Sequence, residues 1–116
     1  MQTADDGLRI DTLHLDGHAL LAVVGEIDLV TAPAFGAAIE RGIQQAGKVV
    51  LDFTGVTFMD SSGLNVLVTT ARQGRDNDVV IIRNAPRSIH RLLSITGLDA
   101  VIRIEGEPID ARRAAR

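Results

Sequence analysis

An α/β domain is what this sequence predicts: a mixed, mostly parallel β-sheet of about five strands, with an N-terminal β-hairpin and three to four helices. Three observations point there. Two apolar-rich runs, Leu8 to Leu15 and His18 to Val24, are separated only by Asp16-Gly17, a dipeptide that accepts the positive φ angles of a tight hairpin turn. Beyond them, short β-branched runs alternate with segments of helical periodicity, which implies parallel strands joined by right-handed crossovers. The chain has 116 residues, 46% of them hydrophobic, which suits one core and leaves no room for a second.

In order along the chain, residues 1–7 are polar and acidic and read as a flexible N-terminus, residues 8–104 as the folded domain, and residues 105–116 as a charged C-terminal segment. After the hairpin, Phe35, Ile39 and Ile43 recur at helical spacing between Thr31 and Ala46, and Ala38 and Ala46 broaden the stripe. Thr31 is placed to cap that helix and Gly47 to end it. Lys48 to Phe53 reads Lys-Val-Val-Leu-Asp-Phe, a run without alternation, as expected of a central strand covered on both faces. A loop follows, and then Leu64, Leu67, Val68 and Ala71 mark one face of a second helix that Gly74 can end. Val79 to Arg83 repeats the buried-strand pattern. Pro86 fits the first turn of a third helix, in which Ile89, Leu92, Leu93 and Thr96 share a face. Gly97 ends it, with Leu98 supplying the hydrophobic contact that accompanies such a terminus. Val101 to Ile104 reads as the last strand, and Glu107 to Arg116 as a short terminal helix or a frayed end.

Composition excludes several function classes. A charged fraction of 23% and a net charge of -3 give no general attraction to nucleic acid or anionic lipid, so direct nucleic-acid binding is disfavoured. Cysteine is absent, which removes disulfide frameworks, thiolate metal sites and cysteine nucleophiles together. No segment approaches the roughly 20 continuous apolar residues that cross a bilayer. The start also lacks the basic-then-apolar order of a secretory signal, so no membrane association and a cytoplasmic location are expected. Aromatic residues make up only 3%, with no Trp or Tyr, so base-stacking platforms are not expected and the core must be aliphatic.

The most informative stretch is Val49 to Val68, VVLDFTGVTFMDSSGLNVLV, in which a buried strand leads into a helix whose start carries Asp60-Ser61-Ser62-Gly63. Asp and Ser accept hydrogen bonds from the unpaired N–H groups of a helix start, so one reading is a good capping sequence. The other rests on what a helix start offers a phosphate. Its free N–H groups and positive dipole end stabilise an anion bonded there, so modification of Ser61 should leave the fold intact. Gly63, lacking a side chain in the first turn, is expected to let a partner approach closely.

The block DFTGVTFMDSSGLNVLV resembles the STAS-domain signature of bacterial anti-sigma factor antagonists. Gly25-Glu26-Ile27-Asp28 resembles that family's Gly-Glu-Leu-Asp segment after the second strand. Pro86, Arg91-Leu92-Leu93 and Thr96-Gly97-Leu98 resemble its third-helix region, so the likeness runs from Leu8 to Ile104. The resemblance implies a single STAS-like domain, with Ser61 as phosphoacceptor, Ser62 as its neighbour and Asp28 close by. It implies a partner-binding face made of Asp28, Asp60, Ser61, Ser62, Gly63, Leu64 and Asn65. It further implies that the unphosphorylated protein binds an anti-sigma factor that is also a serine kinase, freeing a sigma factor, and that a serine phosphatase acting on Ser61 restores the active form. The chain would be a regulator without enzymatic activity, a monomer or weak homodimer, with no cofactor of its own. The same fold also serves as a STAS subunit of a lipid-transport ATPase complex or of a larger stress-signalling assembly, and fold alone does not decide between these roles.

Other chemistry finds little support. A hydrolase would pair Ser61 or Ser62 with His90 and Asp28, but there is no G-x-S-x-G elbow and His90 lies inside a helical pattern. His14, His18 and His90 are scattered, and only the first two share a hairpin, so no metal site is expected. Gly25, Gly47 and Gly74 do not form a phosphate-cradling loop. Arg112, Arg113 and Arg116 read as a solvated end.

Overall fold

The described strands join one sheet in sequence order: β1 (Gln2–Asp5), β2 (Leu8–Leu15), β3 (His18–Ile27), β4 (Val49–Met59), β5 (Val80–Arg83) and β6 (Arg103–Glu105). The helices α1 (Ala32–Ala46), α2 (Ser61–Ala71) and α3 (Arg87–Ile95) connect the last four strands. The computed structural model describes residues 2–5, 7–73, 79–106 and 108. β1 and β3 each pair antiparallel with β2, whereas β3 to β6 are successively parallel. Each crossover therefore steps one strand in the same direction, and right-handed connections then place all three helices on one face.

That face holds the core. Alternate residues of the strands, Leu8 and Ile10, Leu21 and Val23, Leu51 and Phe53, and Val80 and Ile82, are buried against Phe35 and Ile39 of α1, Leu67 of α2 and Leu93 of α3. The Phe35 and Phe53 rings meet at a centroid distance of 6.2 Å, tilted by 47°. Val50 and Ile81, which lie opposite each other across β4 and β5, point to the other face and are buried too. Lys48 to Phe53 carries no clear alternation because the second face is also closed at Val50, although Asp52 on that face is half-buried.

The hairpin, the three helices and the mixed sheet follow the expected order, and the turn glycine Gly17 has φ of 83°. Several boundaries differ, among them that of β3, which runs past Val24 to Ile27 and takes in Gly25-Glu26-Ile27. The expected flexible N-terminus contains β1, which makes the sheet six-stranded; Gln-Thr-Ala-Asp has no apolar pattern and is held by its ladder to β2. β4 does not stop at Phe53 but runs on to Met59, because its second half pairs with Val24 to Ile27 across two register shifts. Those shifts break the periodicity by which a strand is recognised. One of them falls at Gly25, where φ is 112° and a Cβ would collide with the Gly7 carbonyl oxygen, so only glycine fits. After Gly97, with φ of 77°, a 3-10 turn at Leu98–Ala100 delays the last strand to Arg103. Pro86 caps α3 rather than occupying its first turn, and Leu98 is buried as expected. Gly74 and nearly all of the C-terminal segment lie outside the described residues. Among the described residues no helix is long and apolar enough to cross a membrane.

Candidate functional site

The extension of β4 positions the site. Ile27 and Met59 are register partners at the ends of β3 and β4, so Asp28 and Asp60 each follow immediately on adjacent, paired strands. The Asp60 N–H donates to the Ile27 carbonyl at 3.1 Å, joining the two turns directly. Thus Asp28, some thirty residues earlier in the chain, is brought beside the start of α2.

Asp60 is extended, with φ of -106° and ψ of -169°, and its Oδ1 accepts the Ser62 N–H at 2.8 Å, an aspartate N-cap of α2. Ser61, the first residue of the helix, is exposed, and its hydroxyl makes no hydrogen bond among the described residues. Ser62 and Leu64 are half-buried, Leu64 packing on the core, and Asn65 is exposed. Gly63 corrects the expectation placed on it. It is buried, and a Cβ there would lie 2.6 Å from Met59 Cγ and 2.8 Å from Ile27 Cγ2. Its missing side chain lets α2 press against the strand ends; it opens no path for a partner.

The β3–α1 turn has a different interior. Asp28 Oδ1 accepts the N–H groups of Val30 and Thr31, each at 3.0 Å. The Thr31 hydroxyl accepts the Asp28 N–H at 2.9 Å and lies 2.9 Å from the Glu26 carbonyl, to which it donates. Thr31 occupies the N-cap position of α1 but makes no side-chain cap to the helix, because its hydroxyl is committed to the turn behind it. Pro33 sits within the first turn of α1, where its missing N–H costs nothing. Between the anchored ends, Leu29 and Val30 stand out into solvent, and Phe58 near the end of β4 is exposed as well. A shallow groove of about 430 Å³ between α1 and α2 runs from Leu29 past Pro33, Gly36 and Ala37 to Ser62 and Asn65. Sequence reasoning missed Leu29 and Val30. The available signal was two large apolar residues between Asp28 and Thr31, outside both the strand and helix patterns.

The remaining candidates do not converge. His14 pairs with Ala19 and Leu15 with His18, so the two histidines project from opposite faces of the hairpin. No hydrogen bond among the described residues joins His90 to Ser61, Ser62 or Asp28, and the bonded Asp28 oxygen serves its own turn. Among the described residues no cluster of three or more His, Cys, Asp or Glu is arranged to hold a metal.

Residues 9–111 match the family model for the STAS domain. The anti-sigma-B factor antagonist of Listeria monocytogenes is 39% identical over 103 residues, spanning 84% of this chain and 86% of that one. Among solved structures, an anti-sigma factor antagonist from Mycobacterium paratuberculosis superimposes with a TM-score of 0.78 at 29% identity, covering 97% of each chain. SpoIIAA in its unphosphorylated form covers 84% of this chain and 89% of its own, with a TM-score of 0.68 at 20% identity. Its phosphorylated form, from Bacillus, covers 86% and 92% with a TM-score of 0.63. The likeness to SpoIIAA is one of fold.

Proposed function

The chain belongs to the STAS domain family, and on that premise we propose that it is an anti-sigma factor antagonist switched at Ser61. Unphosphorylated, it binds an anti-sigma factor that is also a serine kinase, so that a sigma factor is released; phosphorylated, it does not bind. The names of its relatives support the first half of this reading. The observation that carries the second is the state of Ser61: an exposed hydroxyl, with no hydrogen bond among the described residues, at the first position of a capped helix.

Such a hydroxyl is reachable by a kinase and contributes nothing to the fold that phosphorylation would remove. The new phosphate, carrying about -1.5 to -2 charge, meets the positive end of α2 and the helix N–H groups that Asp60 leaves unused. The folded state therefore tolerates it. A docking surface does not: covering the phosphate beside the Asp28 and Asp60 carboxylates buries charge that lacks a partner. Since about 1.4 kcal/mol changes affinity tenfold, modest repulsion and desolvation suffice to part the complex without a conformational change. In this reading the kinase supplies ATP and the catalytic groups, a serine phosphatase reverses the step, and the present chain is the substrate of both.

Incubation with candidate anti-sigma factor serine kinases and ATP, followed by intact-mass measurement and peptide mapping, tests the assignment. A single phosphate on Ser61, absent from Ser61→Ala, is expected. Equal uptake by Ser61→Ala would move the acceptor to Ser62.

A further inference from the structure

Leu29 is 78% exposed and Val30 61%, which makes Leu29 the most exposed large apolar residue among those described. A single exposed leucine on a loose loop needs no explanation. This pair is neither single nor loose. Asp28 Oδ1 holds the amides of Val30 and Thr31, Thr31 holds the amide of Asp28, and Thr31 is itself fully buried against the Glu26 carbonyl. Hydrogen bonds on both sides thus hold the backbone that carries these two apolar residues.

Their place in the fold says what they meet. Asp28 and Asp60 follow register partners, and the groove that Leu29 lines continues to Ser62 and Asn65. A protein–protein interface of ordinary size covers about 800 Å² on each partner, so one centred on Ser61 includes the adjoining turn. A turn whose backbone is already held loses little conformational freedom when the apolar residues on it are buried by a partner.

We infer that Leu29 and Val30 are the apolar anchor of the docking face, inserting into an apolar pocket of the anti-sigma factor, and that Asp28 is their positioning residue. This rests on the Ser61 reading and deepens it: the turn supplies affinity and partner choice, while Ser61 supplies the switch. Asp28 then acts through its own turn and does not contact the partner with its bonded oxygen. An amide oxygen can accept the same two N–H groups, so asparagine should replace it and alanine should not.

The test uses the kinase that phosphorylates Ser61, loaded with ADP, and calorimetric titration of wild type, Leu29→Ser, Asp28→Ala and Asp28→Asn. Leu29→Ser is expected to raise the dissociation constant about tenfold or more while melting like wild type. Asp28→Ala should weaken binding comparably, and Asp28→Asn should recover most of the loss. A readout without partner accompanies it: amide exchange at Val30 and Thr31 should accelerate in Asp28→Ala and stay slow in Asp28→Asn. Wild-type affinity in Leu29→Ser overturns the anchor and leaves the Ser61 switch standing. An Asp28→Asn protein that keeps slow exchange yet binds as poorly as Asp28→Ala overturns the positioning role, since the carboxylate itself would then be the contact. Absence of binding by wild type overturns the docking reading and this inference together.

Discussion

Two turns lie side by side where β3 and β4 end, and both begin with an aspartate whose Oδ1 accepts the N–H two residues on, at 3.0 Å for Asp28 and 2.8 Å for Asp60. They part company at Thr31 and Ser61. Thr31 is fully buried, with its hydroxyl bonded on two sides; Ser61 is exposed, with its hydroxyl bonded to nothing among the described residues. Similar chemistry is therefore structural in one turn and open to modification in the other. Burial and hydrogen bonding decide which, since a buried polar group must be satisfied and an exposed one need not be.

The contrast can be broken or sharpened at graded cost. Removing the support under α2 should have the largest effect: Leu67 is wholly buried, and Leu67→Ala is expected to destabilise by about 2–5 kcal/mol, read from the denaturant midpoint. A negligible shift would mean that the packed face of α2 is misassigned. Next comes Thr31→Val, which keeps the shape but strands the Asp28 N–H; a loss of about 1–3 kcal/mol is expected on chemical unfolding. Were it neutral, the two hydroxyls would not differ in kind. Asp60→Ala removes only the α2 cap and should lose about 1 kcal/mol, visible as faster amide exchange at Ser62. Smallest of all, Ser61→Ala should stay within about 0.5 kcal/mol of wild type in a thermal melt.

How far the sequence alone reaches differs between the two turns as well. The start of α2 is legible to within a few residues, because Asp-Ser-Ser-Gly before an apolar helical face is a local pattern; which of Asp60 and the serines caps the helix is not. The β3–α1 turn was not. Asp28 and Thr31 were recognised, but Thr31 was expected to cap α1 and instead bonds backward to Glu26. The nearness of Asp28 to Asp60 follows from the pairing of Ile27 with Met59, which depends on register shifts that leave no periodic trace. Elsewhere the hairpin strand Leu8–Leu15 and the αL cap at Gly47 matched expectation, because alternation and glycine chemistry act over a few residues. β1 was missed for the opposite reason: four residues without an apolar pattern are ordered by a neighbouring strand. Gly63 was placed correctly and explained wrongly, since only the three-dimensional packing shows Met59 and Ile27 filling the space that its side chain would need.

Charge at Ser61 is the centre of the account, and titration of the anti-sigma factor kinase with phosphorylated and unphosphorylated protein tests it most directly. The phosphorylated form should bind at least about tenfold more weakly while its melting temperature is unchanged. Equal affinities of the two forms, or a phosphorylated form that binds poorly only because it has unfolded, would contradict it.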